Sequence, residues 1–201
     1  MDKELIDKIS SLRSVRNFKP DSVEDDKLTV ILRTAVCAPS SGNTQPWEFI
    51  VVKDLQMKAR IKEVISSTWH KHVLNRSKDL DEQTRRIYDE VTLLASRSDK
   101  VPVMIFACLN LRKSSKSEEA RYASIYPAVQ NILLAAHCHG LGTCLTTHGC
   151  NQARGEEEIK KILGIPDYIK IAALIFMGYP VKKLHPPRRS DVSTVVHNNA
   201  W

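Results

Sequence analysis

The 201-residue chain predicts an α+β sandwich, and three observations lead there. Strand and helix patterns alternate irregularly instead of repeating as βαβ units. Ile125 to His139 is apolar on nearly every helical face, which marks a helix buried in mid-protein or at a subunit interface. The glycines make no dinucleotide fingerprint: Gly140-Leu141-Gly142 lacks a third glycine and follows a helical pattern rather than a strand.

Taken in order, Leu5, Ile6, Ile9 and Leu12 recur at helical spacing and predict a first helix ending near Leu12. Lys19-Pro20 disfavours helix before it. Ser22 ahead of Glu24, Asp25 and Asp26 predicts a serine-capped start with acids in the first turn, and Leu28, Ile31, Leu32 and Ala35 supply the buried stripe. Pro39 to Pro46 reads as a loop, and Trp47 to Val52 as a strand. From Leu55 to about Ser98 the pattern is helical and strongly charged, a helical insertion within a single domain spanning residues 1–201. Val101 to Leu109 predicts a buried strand, Ser114 to Lys116 a polar loop, and Gly140 ends the Ile125–His139 helix. Leu141 to Thr147 predicts a strand. Glu156 to Leu163 predicts a helix stopped by Gly164-Ile165-Pro166, and Ile169 to Met177 a second buried strand. From Tyr179 to Trp201, Pro180, Pro186 and Pro187 predict an extended arm.

Composition narrows the class. An apolar fraction of 42% over this length supports a full core without disulfides or a structural metal. Five cysteines, an odd set without a CxxC pair, read as reduced thiols. With no apolar run long enough for a membrane span and no signal-peptide pattern at Met1 to Ser10, the expected location is cytoplasmic, away from membrane. The net charge of +7 is spread through the chain, without a basic block interleaved with aromatics, so nucleic acid is not the expected partner. A phosphorylated cofactor or a nicotinamide dinucleotide accounts for the excess equally well.

Three separated segments carry more polar chemistry than folding requires. Arg13-Ser14-Val15-Arg16-Asn17-Phe18 spaces two arginines by three, although alone it also reads as a solvated turn. Ala38-Pro39-Ser40-Ser41-Gly42-Asn43-Thr44-Gln45-Pro46-Trp47 places hydroxyl and amide groups in a loop stiffened by two prolines. Pro186-Pro187-Arg188-Arg189 presents two guanidiniums on a stiff arm, suited to bidentate phosphate capture. His137, Cys138, His139, Cys144, His148 and Cys150 invite a metal reading, but adjacent helical positions point apart and the spacings match no common zinc pattern. No metal is expected; the cysteines read as small buried hydrophobes, and Cys37 as helix-packed.

Together these segments resemble the nitroreductase family, whose signatures are similar to R-R-S-x-R-x-F and A-P-S-x-x-N-x-Q-P-W. Gln130-Asn131 through Gly142, Ile165-Pro166, Met177-Gly178-Tyr179-Pro180 and the arginine pair extend the resemblance over most of the chain outside Lys53 to Asp99. The resemblance implies a three-layer sandwich with a central, mostly antiparallel sheet flanked by helices, forming an intertwined homodimer with FMN at the interface. It also implies a ping-pong oxidoreductase in which NADH or NADPH reduces FMN, and a nitroaromatic, quinone or similar electrophile reoxidises it. The same fold also hosts dehydrogenation, dehalogenation and flavin fragmentation, and a flavin-binding protein with little turnover is a further reading. By position, Arg13 and Ser14 would contact the FMN phosphate and ribityl chain, completed by Arg188 and Arg189. Arg16 would stand at the N1–C2=O edge as electrostatic support, with no side chain needed as acid or base. Pro39, Ser40, Ser41 and Asn43 would approach from the partner subunit. In the Thr146–Gly149 turn, a backbone amide at Thr147 would donate to flavin N5 or O4. Leu12 stands where the family has an arginine, and Tyr126-Pro127 replaces small or acidic residues.

Overall fold

The computed structural model of the chain describes residues 3–76, 81–114, 116–148, 153–182 and 185–201. Its frame is a four-stranded antiparallel sheet in the order β1-β2-β4-β3, with β1 at Trp47–Val52, β2 at Val103–Asn110, β3 at Gly142–Thr146 and β4 at Ile169–Gly178. The two central strands are buried along almost their whole length, which is why both read as continuous apolar runs.

Period-two alternation sorts their side chains into two layers. Val103, Ile105, Ala107 and Leu109 face one core with α2 (Asp25–Ala35) and α5 (Glu118–Cys138). Met104, Phe106 and Cys108 face the other, packed by α3 (Leu55–Arg76), α4 (Glu82–Ser96) and α6 (Ala153–Leu163). Helices on both sides of an antiparallel sheet make the three-layer α+β sandwich the sequence predicts. The register of β2 on β4 shifts between Ala107 and Cys108, and Ala172 and Ala173 then face the same core. Near this irregularity the Ile171 N–H donates to Glu156 Oε1 at 2.8 Å.

The Leu55–Ser98 region is more than a solvated hairpin. Ile61, Val64, Ile65 and Trp69 of α3, with Leu94 and Ala95 of α4, are buried in the second core. Trp69 donates its indole N–H to Thr92 Oγ1 at 2.8 Å, satisfying the one polar group that a buried tryptophan brings.

Local chemistry moves some boundaries. The second helix begins at Asp25 with Glu24 at its cap position and no side-chain cap bond, so Ser22 does not cap it. α5 begins at Glu118, seven residues before the apolar run, where Ser117 accepts from the Ala120 N–H and Glu118 and Glu119 fill the first turn. The first helix, α1, is Lys3–Ser11, and none of its residues is buried. Leu5, Ile6 and Ile9 are exposed at 54%, 41% and 46%, leaving an apolar stripe facing outward. Val192, Val195, Val196 and Trp201 in the arm are likewise exposed.

Candidate functional site

The Arg13–Phe18 segment follows α1 and runs against the β3 edge of the sheet. Ser14 bridges Thr143 in parallel, and Phe18 bridges Pro180. Backbone bonds from Val15 N to Thr143 O and from Lys19 N to Tyr179 O, both 2.8 Å, fix it at two points. Two glycines paired across β3 and β4, Gly142 and Gly178, make room for this crossing. A Cβ on Gly178 would lie 2.8 Å from Pro102 Cδ and 3.3 Å from Phe18.

Held this way, Arg13, Ser14 and Arg16 line one cavity of about 690 Å³ with Pro186, Pro187, Arg188 and Arg189 of the arm. Glu82, Gln83, Arg86, Ile87 and Glu90 of α4 complete the lining. Arg13 Nη1 donates to the His185 carbonyl at 2.9 Å, tying the N-terminal segment to the arm. Two segments more than 170 positions apart therefore bring Arg13, Arg188 and Arg189 to one volume, within the roughly 300–1,000 Å³ of small-molecule sites. A planar guanidinium matches phosphate oxygens two at a time, so this cluster suits a phosphorylated ligand.

Arg16 lines both this cavity and a smaller neighbouring one. Its Nη1 donates to Glu90 Oε2 at 2.9 Å, while its Nε is buried and has no hydrogen-bond partner. Beside it, burial pushes the Cys144 thiol pKa up, against the pull of the guanidinium. Arg16, Trp69, Cys144, Thr146 and His148 enclose a small cavity of about 80 Å³, which places the Thr146–His148 turn, with exposed Thr147 between, next to Arg16. Gly149 and Cys150 lie outside the described residues. Among the described residues no three His, Cys, Asp or Glu side chains come together as a metal site. His137 instead pairs with Ser11 Oγ at 2.9 Å, and Cys37 is exposed, not packed as expected.

The serine loop lies elsewhere in the same protomer. The Ser41 N–H donates to Ser124 Oγ, near the start of α5, while Ser11 meets His137 near its end. These anchors are thirteen helical positions apart, about 20 Å at 1.5 Å per residue. Pro39, Ser40, Ser41 and Asn43 thus do not join Arg13 and Arg16 within one chain. The loop is nonetheless rigidly built. Gly42, Asn43 and Gln45 all have positive φ (61°, 53° and 46°), and Ser40 Oγ accepts from the Gln45 N–H at 3.0 Å.

Missing from the sequence reading were Glu90, Glu82 and Arg86. Their spacing of four put them on one face of a helix, but an alternating charge pattern also describes a solvated face.

Fold and cavity together define an α+β sandwich with an arginine-lined cavity at the sheet edge. Comparison with known proteins places it further. The Nitroreductase family model matches residues 9–179, and the chain belongs to that family. It is 29% identical over 192 residues to an NADH dehydrogenase of Thermus thermophilus, covering 92% of this chain and 90% of that one. It is 27% identical over 181 residues to an iodotyrosine deiodinase of Thermotoga neapolitana, covering 89% of each. An FMN-dependent nitroreductase from Clostridium difficile superposes with a TM-score of 0.73 at 22% identity over 98% of this chain and 99% of that one, and so shares the fold. No helix among the described residues is long and apolar enough to cross a membrane.

Proposed function

We propose that this protein is an FMN oxidoreductase, a homodimer whose two sites are each completed by the partner's serine loop. The observation that carries this reading is the convergence of Arg13, Ser14, Arg16, Arg188 and Arg189 on one cavity, with a buried, unsatisfied N–H on Arg16. An unsatisfied buried donor costs about 1–3 kcal/mol, and a ligand acceptor there removes the cost. When bound, FMN supplies two-electron chemistry, taking a hydride from NADH or NADPH and passing the electrons to a nitroaromatic, quinone or similar electrophile.

The chain's own residues bind and orient. Arg13, Arg188 and Arg189 hold the phosphate, and Ser14 reaches the ribityl chain. Arg16 supplies fixed positive charge at the N1–C2=O edge, where reduction leaves negative charge. A backbone N–H at Thr147 would donate at the ring's N5–O4 edge, and Pro39, Ser40, Ser41 and Asn43 of the second copy would cover the ring. The separation of that loop from Arg16 within one protomer favours this sharing.

A second reading keeps the site and changes the acceptor to a halogenated phenol, which takes up the same two electrons and a proton, so that a carbon–hydrogen bond replaces carbon–halogen and halide leaves. It is supported by the similarity to an iodotyrosine deiodinase over nearly the whole chain.

Reconstitution with FMN, anaerobic bleaching by NADH or NADPH, and reoxidation by a panel of nitroarenes, quinones and halophenols test both. Protein that binds no added FMN ends the reading; reoxidation by halophenols alone selects the second.

A further inference from the structure

Glu90 is the one α4 residue bonded to Arg16, and the phosphate reading gives it no role. The ion pair is asymmetric in its surroundings. Arg16's side chain is 20% exposed and Glu90's 61%, so the carboxylate meets the guanidinium from the solvent side. The opposite end is different: Nε is buried and carries an unsatisfied N–H. A guanidinium has five donors, and Glu90 engages it through Nη1. Glu90 therefore leaves the Nε–H uncommitted at the buried end, beside Cys144.

We infer that Glu90 is a positioning residue that sets the flavin's reduction potential through Arg16. The inference rests on the reading that places FMN beside Arg16. Glu90 does two things. It holds the long arginine side chain in one geometry, with Nε turned inward. It also offsets part of the cation's field at the site where reduction builds negative charge, because opposite charges at hydrogen-bond distance partly cancel at longer range. The bound flavin is thereby held at a lower potential, and is a stronger reductant, than a bare guanidinium would make it.

The test is the two-electron midpoint potential of FMN-loaded protein, measured by anaerobic equilibration with reference dyes. Glu90→Gln keeps the side-chain shape and removes the charge. It should favour reduced over oxidised flavin by about tenfold, which is about 30 mV upward for a two-electron couple. Asp89→Asn is the control: Asp89 is exposed, sits on the same helix and does not line the cavity. Its potential should stay at the wild-type value. An unchanged potential in Glu90→Gln, or an equal rise in Asp89→Asn, overturns the inference. Arg16→Ala separates the two levels. If it lowers the potential while Glu90→Gln does nothing, only the role of Glu90 falls. If Arg16→Ala leaves the potential unchanged, the placement of Arg16 beside the flavin falls, and Glu90's role with it.

Discussion

Gly142 has no side chain because Val15 fills the space: a Cβ there would lie 2.6 Å from Val15 Cγ2 and 2.8 Å from its Cβ. Val15 is buried, and the two residues on either side of it in the cavity, Ser14 and Arg16, take their positions from its seat against β3. The packing of one glycine against one valine thus sets where the charged groups stand.

Gly142→Ala should destabilise the fold by about 1–3 kcal/mol, the usual cost of overpacking a filled site. Because the clash falls on Val15's branch point rather than a flexible tip, relief requires moving the segment itself. Urea denaturation should show a lowered midpoint, and titration with FMN should show weaker binding in the fraction that remains folded. Stability and FMN affinity both at wild-type values would disprove the coupling.

A second contact ties the start of the arm to α2. Tyr179 donates to Glu24 at 2.7 Å, and Lys27 Nζ donates to the Tyr179 hydroxyl at 2.6 Å and to Glu24 at 2.9 Å. Hydrogen bonds from Tyr179 and then Lys27 lower the Glu24 pKa from 4.5 to about 2. A depressed carboxyl pKa means the native state resists protonation, so its stabilising contribution is full above 4.5 and is lost as pH falls toward 2. Lys27, raised to about 12 by Tyr179 and then Glu24, contributes below 10.5 and loses that contribution as pH rises through 12. Glu24→Gln should therefore lower stability most in the neutral region, with the difference from wild type shrinking as pH falls between about 4.5 and 2, so that the acid limb is flatter. An acid limb identical to wild type would show that this triad is too solvated to matter.

How much of this was legible in the sequence follows from which physics each segment obeys. β1 was read at its observed bounds, because a six-residue β-rich run between a proline loop and Asp54 admits little else. The start of α5 was missed because Glu118 to Ser124 lacks the apolar periodicity of the later turns, although Ser117-Glu118-Glu119 was a readable cap. Arg13, Ser14, Arg16, Arg188 and Arg189 were identified from composition and resemblance, and the fold brings them to one cavity. Glu90 was not, since a carboxylate's partner 74 positions away leaves no local pattern. The serine loop was legible as a loop, but its separation from Arg16 is a property of where α5 carries it.

Arg13→Ala, Arg188→Ala and Arg189→Ala should each weaken FMN binding by roughly tenfold to a hundredfold, the worth of one charged hydrogen bond or slightly more. Arg13 should show the additional signature of a freed arm, because it also bonds the His185 carbonyl. Limited proteolysis of the unliganded protein should cut the arm of Arg13→Ala faster than that of the other two. Equal cleavage rates would remove the tethering role, and unchanged FMN affinity in all three would remove the phosphate site.

The dimer can be tested on α1. An amphipathic helix that presents Leu5, Ile6 and Ile9 to solvent has no reason in one protomer to keep them apolar. Beside it, Leu133, Leu134 and Ala135 of α5 are only half-buried on a helix that is apolar nearly all round. A second copy docked here, as the proposed dimer requires, would cover both stripes. Leu5→Glu puts a charge into that surface, where its desolvation opposes association but costs the exposed monomer little. The variant should elute as a monomer by gel filtration with its secondary structure retained. It should also lose most FMN affinity, although Leu5 lines neither the arginine cavity nor its neighbours, since Pro39 to Asn43 would no longer reach the other copy's Arg16. A monomer that binds FMN as tightly as wild type would refute the shared site, and a dimer that survives the substitution would move the interface elsewhere.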